Sequence, residues 1–350
     1  MRHLALALTH AADIAPVVIP APKGIDSLTL AERPDPTPGP RQVLVRVRAT
    51  SLNYRDLLTI EAQYARSAPK PDLIPLSDGA GEVVAVGPGV SRVKVGDRVA
   101  GCFMQRWFGG AISDSAMPSA MGGAIDGMLT ELAVLEEEGV VKLPAHLSYE
   151  EGATLPCAAV TAWNALVEIG HIKAGDVVQI QGTGGVSIFA LQFARMFGAR
   201  VIGTSSSAAK AERLKQMGAE AVIDYKATPD WDKEALKLTG SRGADITVEV
   251  GGAGTLPRSF MATRLGGSIA VIWLLSGMAT LDPMPILRRN LKVQGLYVGS
   301  TQMFEAMNRA IEANGLKPVI DRVFPFAEAQ AAYHHLKSQK HFGKIVISHA

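Results

Sequence analysis

The stretch "DVVQIQGTGGVSIFALQFARMFG" (residues 176–198) decides the fold. A short apolar run ends in glycines, and an apolar pattern of helical period then runs to Gly198. The same alternation continues downstream. "RVIGT" (200–204), "AVIDY" (221–225), "DITVEV" (245–250) and "GSIAVIW" (267–273) read as strands, with helical segments such as "AAKAERLKQMG" between them. Strands and helices alternating at this spacing predict a parallel sheet with helices on both faces.

The turn at Gly182–Gly185 carries chemistry. Gly182 and Gly184 match the first two glycines of G-x-G-x-x-G, and Ser187 stands where the third would be. Glycines there permit a tight turn and let a pyrophosphate approach backbone N–H groups, while the helix beginning near Val186 adds its positive end. With Thr183 and Gly185, these residues form a candidate dinucleotide site; its bland counterpart is an ordinary Gly-rich strand–helix turn. An NAD site usually places an acid about 20 residues beyond the glycines. Here no acid occurs between Asp176 and Glu212, and the second strand ends in "TSSSAAK". Ser205 and Ser206 with Ser207 can donate to a phosphate, and Lys210 supplies positive charge. The cofactor expected is NADP(H), although serines here can equally cap the next helix.

The remainder of the chain is different. With 350 residues there is room for about two ordinary domains. The hydrophobic content of 47% and charged content of 19% describe a globular chain, and a formal charge of +2 without one-sign blocks points to neither nucleic acid nor membrane. "RQVLVRVRAT" (41–50) and "GEVVAVGPGVSRVKVGDRVAG" (81–101) read as short strands closed by tight turns, which suggests a small barrel. Residues 104–127 have little periodicity and read as a long loop. After residue 301 a helix leads to "KPVIDRVFPF" and "GKIVIS" (343–348), which look like the first domain resumed. The opening "MRHLALALTH" is too short for a signal-peptide core, and "GGSIAVIWLLSGMA" (266–279) is too short to span a bilayer. With two cysteines, Cys102 and Cys157, a disulfide framework and a Cys-only zinc site are both excluded, and a cytoplasmic setting is expected. "LKVQGLYVG" (291–299) reads as an edge strand, which invites pairing with its copy in a homodimer.

These features together resemble the medium-chain dehydrogenase/reductase superfamily. "GAGEVVAVGPGV", "VKVGDRV", "LPCAAVTAW" (155–163), "GTGGVS" and "GKIVI" carry the likeness over nearly the whole chain. It implies an α/β fold in which a Rossmann doubly wound parallel sheet (156–301) is inserted into a GroES-like β-barrel domain (1–155 and 302–350). It also implies that Thr161, Val250, Gly251, Trp273 and Leu274 border the nicotinamide and that Tyr225 joins the cofactor site. The branch it resembles is the zinc-independent quinone oxidoreductase and enoyl reductase-like one. Zinc-dependent members place a Cys where this chain has Asn53, and His-Glu where it has Ser77-Asp78. Their third ligand corresponds to Cys157, so one ligand of three survives, and a catalytic zinc needs three. No metal is expected. Cys157 becomes a small residue beside the nicotinamide, inert rather than nucleophilic.

"SLNYRDLL" (51–58) then falls in the segment facing the nicotinamide. Asn53 takes the place of a metal ligand, and Tyr54 and Tyr64 offer phenol groups, so these three are the catalytic candidates. Ser51 is expected to cap a helix, with Arg55 and Asp56 pairing on its surface. Trp107 and Phe108 are candidates for the substrate wall, against the alternative of incidental aromatics on an exposed loop.

The missing metal bears on the substrate. Reduction of an isolated ketone concentrates charge on one oxygen, which calls for a Lewis acid or strong proton donor. Hydride addition to an enone or quinone spreads that charge and mainly needs positioning. The expected activity is NADPH-dependent reduction of a conjugated carbonyl or a quinone. Two alternatives remain: a zinc-free alcohol dehydrogenase or carbonyl reductase, and a non-catalytic NADPH-binding sensor or structural protein.

Overall fold

The computed structural model describes residues 16–21, 23–63, 70–272 and 280–349. A short antiparallel ribbon of β1 (Val17–Val18) and β2 (Thr29–Leu30) precedes the first large sheet. That sheet is centred on β3 (Gln42–Leu52), whose Val43, Val45 and Val47 are buried and alternate with more exposed Arg46 and Arg48, as a strand with one wet face requires. Helix α1 (Tyr54–Ile60) follows directly. Strands β4 (Asp78–Val86), β5 (Arg98–Gly101), β6 (Leu132–Glu136) and β7 (Val140–Lys142) complete the N-terminal contribution. Residues 104–127 form a long loop, as expected, with one 3₁₀ turn at Met117–Ser119 and isolated bridges. The backbone of this loop is tied down at Met121, whose N–H donates to Phe103 O (3.0 Å), and at Trp107, whose carbonyl accepts from Thr301 N (3.0 Å).

Helices α2 (Tyr149–Ala153) and α3 (Val160–Trp163) are joined by a widened π turn at Leu155–Ala159, and a second π turn covers Asn164–Ile169. The alternating half begins with β8 (Val177–Gln181) and α4 (Gly185–Met196). It continues through β9 (Arg200–Ser205), α5 (Ala208–Gln216), β10 (Ala221–Asp224), α6 (Trp231–Leu238) and β11 (Ala244–Glu249). Helix α7 (Leu256–Ala262), β12 (Thr263–Val271), α8 (Met284–Arg288) and β13 (Lys292–Gly295) finish it. All pairings in this sheet are parallel, in the order β10-β9-β8-β11-β12-β13. The order reverses between β8 and β11, which puts a switch-point crevice at their carboxyl ends, just past Gln181 and Glu249. The core of this half runs through α4: Phe193 meets Trp163 edge-on at 5.7 Å and stacks on Phe189 at 5.9 Å.

The chain then returns. Helix α9 (Thr301–Asn314), capped by the Ser300 hydroxyl, leads to β14 (Ile320–Pro325), α10 (Ala329–Lys337) and β15 (Lys344–Ser348). β15 lies between β14 and β3 in the first sheet. Its antiparallel register with β3 pairs Leu52 with Ile345 and Ser51 with Val346, while Ser51 also faces Asp78 of β4. One step beyond Leu52, that register brings Asn53 alongside Lys344. No helix among the described residues is long and apolar enough to cross a membrane.

Candidate active site

Asn53 follows β3 and is the N-cap of α1. Its backbone N–H donates to Asp56 Oδ2 at 2.8 Å, one half of a capping box. Ser51 is not the cap. It lies within β3, where its hydroxyl donates to Ala153 O at 2.9 Å. Arg55 and Asp56 are not a surface pair either, since both are buried. Arg55 Nη1 donates to Met121 O at 2.9 Å, and its guanidinium lies 4.8 Å from the centre of the Phe103 ring. The 104–127 loop thus covers a helix face that α1 alone would leave wet. Burial pushes the Asp56 carboxyl up to about 6, against the pull of Arg55 and with a further push from Asp78.

The centre of the cluster is Lys344, which is 2% exposed. Its ammonium donates to Asn53 Oδ1 at 2.6 Å and Leu52 O at 2.7 Å, and stands 3.6 Å from Asp78 Oδ2. Asp78 also accepts from the Ser77 hydroxyl at 2.8 Å and from the backbone N–H of Cys157 at 3.3 Å. Cys157 lies in the π turn at Leu155–Ala159. Asn53 Nδ2 is buried and has no hydrogen-bond partner among the described residues.

The Gly182–Gly185 turn suits a dinucleotide. Gly182 has φ +71°, and a Cβ at either Gly182 or Gly184 would meet only open space. That is the room a pyrophosphate needs over the start of a 12-residue helix. Ser187 serves at the third glycine position because its hydroxyl donates back to Gln181 O at 2.6 Å. Thr183 is buried within the turn, Thr161 is buried in α3, and Val186 is half-buried in the first turn of α4. Gly185 is needed for packing instead, since a Cβ there would lie 2.7 Å from Lys344 Cδ and 3.1 Å from Ala158 Cβ. At the tip of β9, Ser207 caps α5, so the capping role holds for it, while Ser205 bonds to the Ser207 backbone within the turn. Ser206 is exposed and accepts from the Tyr225 phenol at 3.1 Å. Lys210 reaches across to the first domain, donating to Gln339 O at 2.8 Å. Burial lowers its pKa, as does Arg213 nearby. Sequence reasoning missed Arg213, which lies 3.9 Å over the Phe342 ring; its spacing of three from Lys210 on α5 was the available signal.

The alcohol dehydrogenase GroES-like domain model matches residues 39–145, and the zinc-binding dehydrogenase model matches residues 185–313. A zinc-type alcohol dehydrogenase-like protein of Schizosaccharomyces pombe is 44% identical over 315 residues, covering 88% of this chain and 91% of that protein. The chain belongs to the medium-chain dehydrogenase/reductase superfamily. It is an oxidoreductase of that superfamily, and human quinone oxidoreductase is 28% identical over 308 residues (86% of this chain, 87% of that one). A crystal structure of an NAD-dependent alcohol dehydrogenase superposes with a TM-score of 0.86 at 33% identity, over 96% of this chain and 100% of that one. The 2-octenoyl-CoA carboxylase reductase CinF, in complex with NADP and 2-octenoyl-CoA, gives a TM-score of 0.86 at 25% identity, over 98% and 89% of the two chains.

Within this medium-chain fold, the positions that match the zinc ligands do not fit the ion. Asn53 Oδ1 is taken by an ammonium, and the Ser77 hydroxyl is spent on Asp78. Desolvation and the Asp78 charge push the Cys157 thiol up, away from the thiolate that a metal requires. Among the described residues no group of three or more His, Cys, Asp and Glu could hold a metal. Arg55, Asp56, Asp78 and Lys344 already pair two cations with two acids, and a divalent ion beside Lys344 would leave the cluster strongly positive.

Other expected residues fall out differently. Tyr64, Trp273 and Leu274 lie outside the described residues. Tyr54 is half-buried in the first turn of α1, packed against the apolar cluster around Leu52 and Leu57. Trp107 is buried, with its indole N–H donating to Gly110 O at 3.1 Å. Phe108 packs under the Arg92 guanidinium at 5.1 Å, and the structure does not bring it together with Asn53. Val250 and Gly251 sit at the crevice, held by a residue that the sequence did not single out. The buried Glu249 accepts from Gly251 N (2.8 Å), Gly252 N (2.9 Å), Thr255 Oγ1 (2.5 Å), Gln181 Nε2 (2.7 Å) and the Ser259 hydroxyl. A second acid at the carboxyl end of a fully buried strand was the clue. Glu249→Ala should strand these donors and cost about 3 kcal/mol or more of stability, with weaker nicotinamide-cofactor binding. Denaturant unfolding and NADPH fluorescence titration check both effects; a variant unchanged in both would show the knot to be dispensable.

Proposed function

We propose that the protein is a zinc-independent, NADPH-dependent reductase of conjugated carbonyls (enones) or quinones. One observation carries this reading: the Lys344 ammonium engages Asn53 Oδ1 and stands beside Asp78, two positions that match zinc ligands, and Asn53 Nδ2 is a buried donor without a partner among the described residues. The cofactor supplies a hydride from its nicotinamide. A buried amide N–H donates to the acceptor's oxygen as charge builds there, and its free energy is realised because no described residue competes for it. One neutral donor suits a charge spread over a conjugated system better than a localised alkoxide. A phenol or water then provides the proton. The known structure of CinF, solved in complex with 2-octenoyl-CoA, is in keeping with such an acceptor.

The choice of NADPH is supported by Ser206, Tyr225, Lys210 and Arg213 around the tip of β9, with no acid between Asp176 and Glu212. The alcohol dehydrogenase names among the relatives favour a second reading, a zinc-free alcohol dehydrogenase or carbonyl reductase. Strand β13 at the sheet edge, with Tyr297 and Leu287 exposed nearby, supports a homodimer.

A steady-state panel of enones, quinones, aldehydes and alcohols, run with and without a chelator, separates the readings. Conjugated acceptors should be turned over at rates indifferent to chelation. Turnover of simple alcohols alone, or zinc-restored activity, overturns the proposal. In the same assay Lys210→Ala should lower kcat/KM for NADPH by about tenfold or more and leave NADH unaffected. Equal losses with both cofactors would remove the 2′-phosphate assignment. Size-exclusion chromatography with light scattering should give twice the chain mass; a monomer at micromolar concentration ends the dimer proposal.

A further inference from the structure

We infer that Lys344 is a positioning residue for Asn53: its ammonium locks the Asn53 carboxamide in one of two orientations and polarises it as a hydrogen-bond donor. The inference rests on the reading of Asn53 as donor to the acceptor's oxygen. A side-chain amide can rotate by half a turn, exchanging oxygen and nitrogen at little cost in shape. An ammonium has only donors, so at 2.6 Å it tolerates the oxygen and repels the NH₂ group. The amide nitrogen is thereby fixed on the opposite side, where it is buried and unpartnered among the described residues. Accepting a charge-assisted bond at Oδ1 also draws electron density through the amide and makes the Nδ2 hydrogens stronger donors.

A purely structural account of Lys344 fits less well. Its two short contacts are to neutral oxygens, Asn53 Oδ1 and Leu52 O, while the carboxylate of Asp78 is the distant partner at 3.6 Å. A lysine present only to neutralise Asp78 would be expected to sit closest to it. Gly185 adds to this. The lysine stem crosses the start of α4 where a Cβ would come within 2.7 Å of Cδ, so glycine in the phosphate turn keeps the stem's route open.

The test uses the full-length protein with NADPH, a cyclic enone and a benzoquinone. Asn53→Ala and Lys344→Met should each lower kcat by about a hundredfold, with the NADPH Kd changed by less than about threefold. The double variant should be no slower than Asn53→Ala alone, because the lysine acts through the amide. Lys344→Arg, which keeps a cation with N–H donors, should recover part of the rate. Losses that multiply in the double variant, or a Lys344→Met enzyme with wild-type kcat, overturn the inference. Where Asn53→Ala is slow and Lys344→Met is not, only this inference falls. Where Asn53→Ala is fully active, or neither acceptor is turned over, the underlying reading falls and takes this one with it. Should Lys344→Met fail to fold, Asn53→Asp serves instead: it keeps a partner for the ammonium but offers no N–H. It should be as slow as Asn53→Ala, and a wild-type rate would overturn the reading of Asn53 as donor and this inference with it.

Discussion

A buried ammonium needs oxygen around it, and the site is organised to meet that need. Removing a lysine head group from water costs several kcal/mol unless carbonyl, amide and carboxylate oxygens replace the hydration shell. Here those oxygens come from Leu52 and Asn53 at the end of β3 and from Asp78 at the start of β4, while the cation arrives on β15. Segments far apart in the chain must therefore meet in one register before the charge can be buried. The return of the chain to its first sheet is what completes the site.

This arrangement also connects the electrostatics to the chemistry. A metal would act directly on a substrate oxygen. On the proposed reading, an ammonium already committed to three oxygens acts at one remove, through a neutral amide. Such a donor stabilises a diffuse negative charge well and a concentrated one poorly. On the proposed function, the scaffold of the superfamily keeps its nucleotide turn at Gly182 and Gly184 while Asn53 and Lys344 set the character of the acceptor.

The parts legible in the sequence were those written locally. The strand–glycine–helix unit at 176–198, the alternation after it and the edge position of β13 follow from period and turn residues within short windows. The misreadings have one cause. Arg55 and Asp56 look like a wet helix face because what covers them, the loop carrying Phe103 and Met121, lies elsewhere in the chain. Lys344 belongs to an ordinary-looking closing strand, and its partners are named only by the cross-strand register with β3. Glu249 was not singled out, because its partners at Gly251 and Thr255 are brought to it only when the turn after β11 folds back.

The two domains are also joined by main chain at the floor of the crevice. The N–H of Gly343 donates to Thr183 O at 3.0 Å, and Gly343 bridges Gly184, so the nucleotide turn is stitched directly to the residue preceding Lys344. Walls pinned at their base can part only by swinging about that pin. The glycine turn and the ammonium are then tied close to the pivot, and the outer contacts from Lys210 to Gln339 and from Gln192 to Lys317 are among those that opening must break.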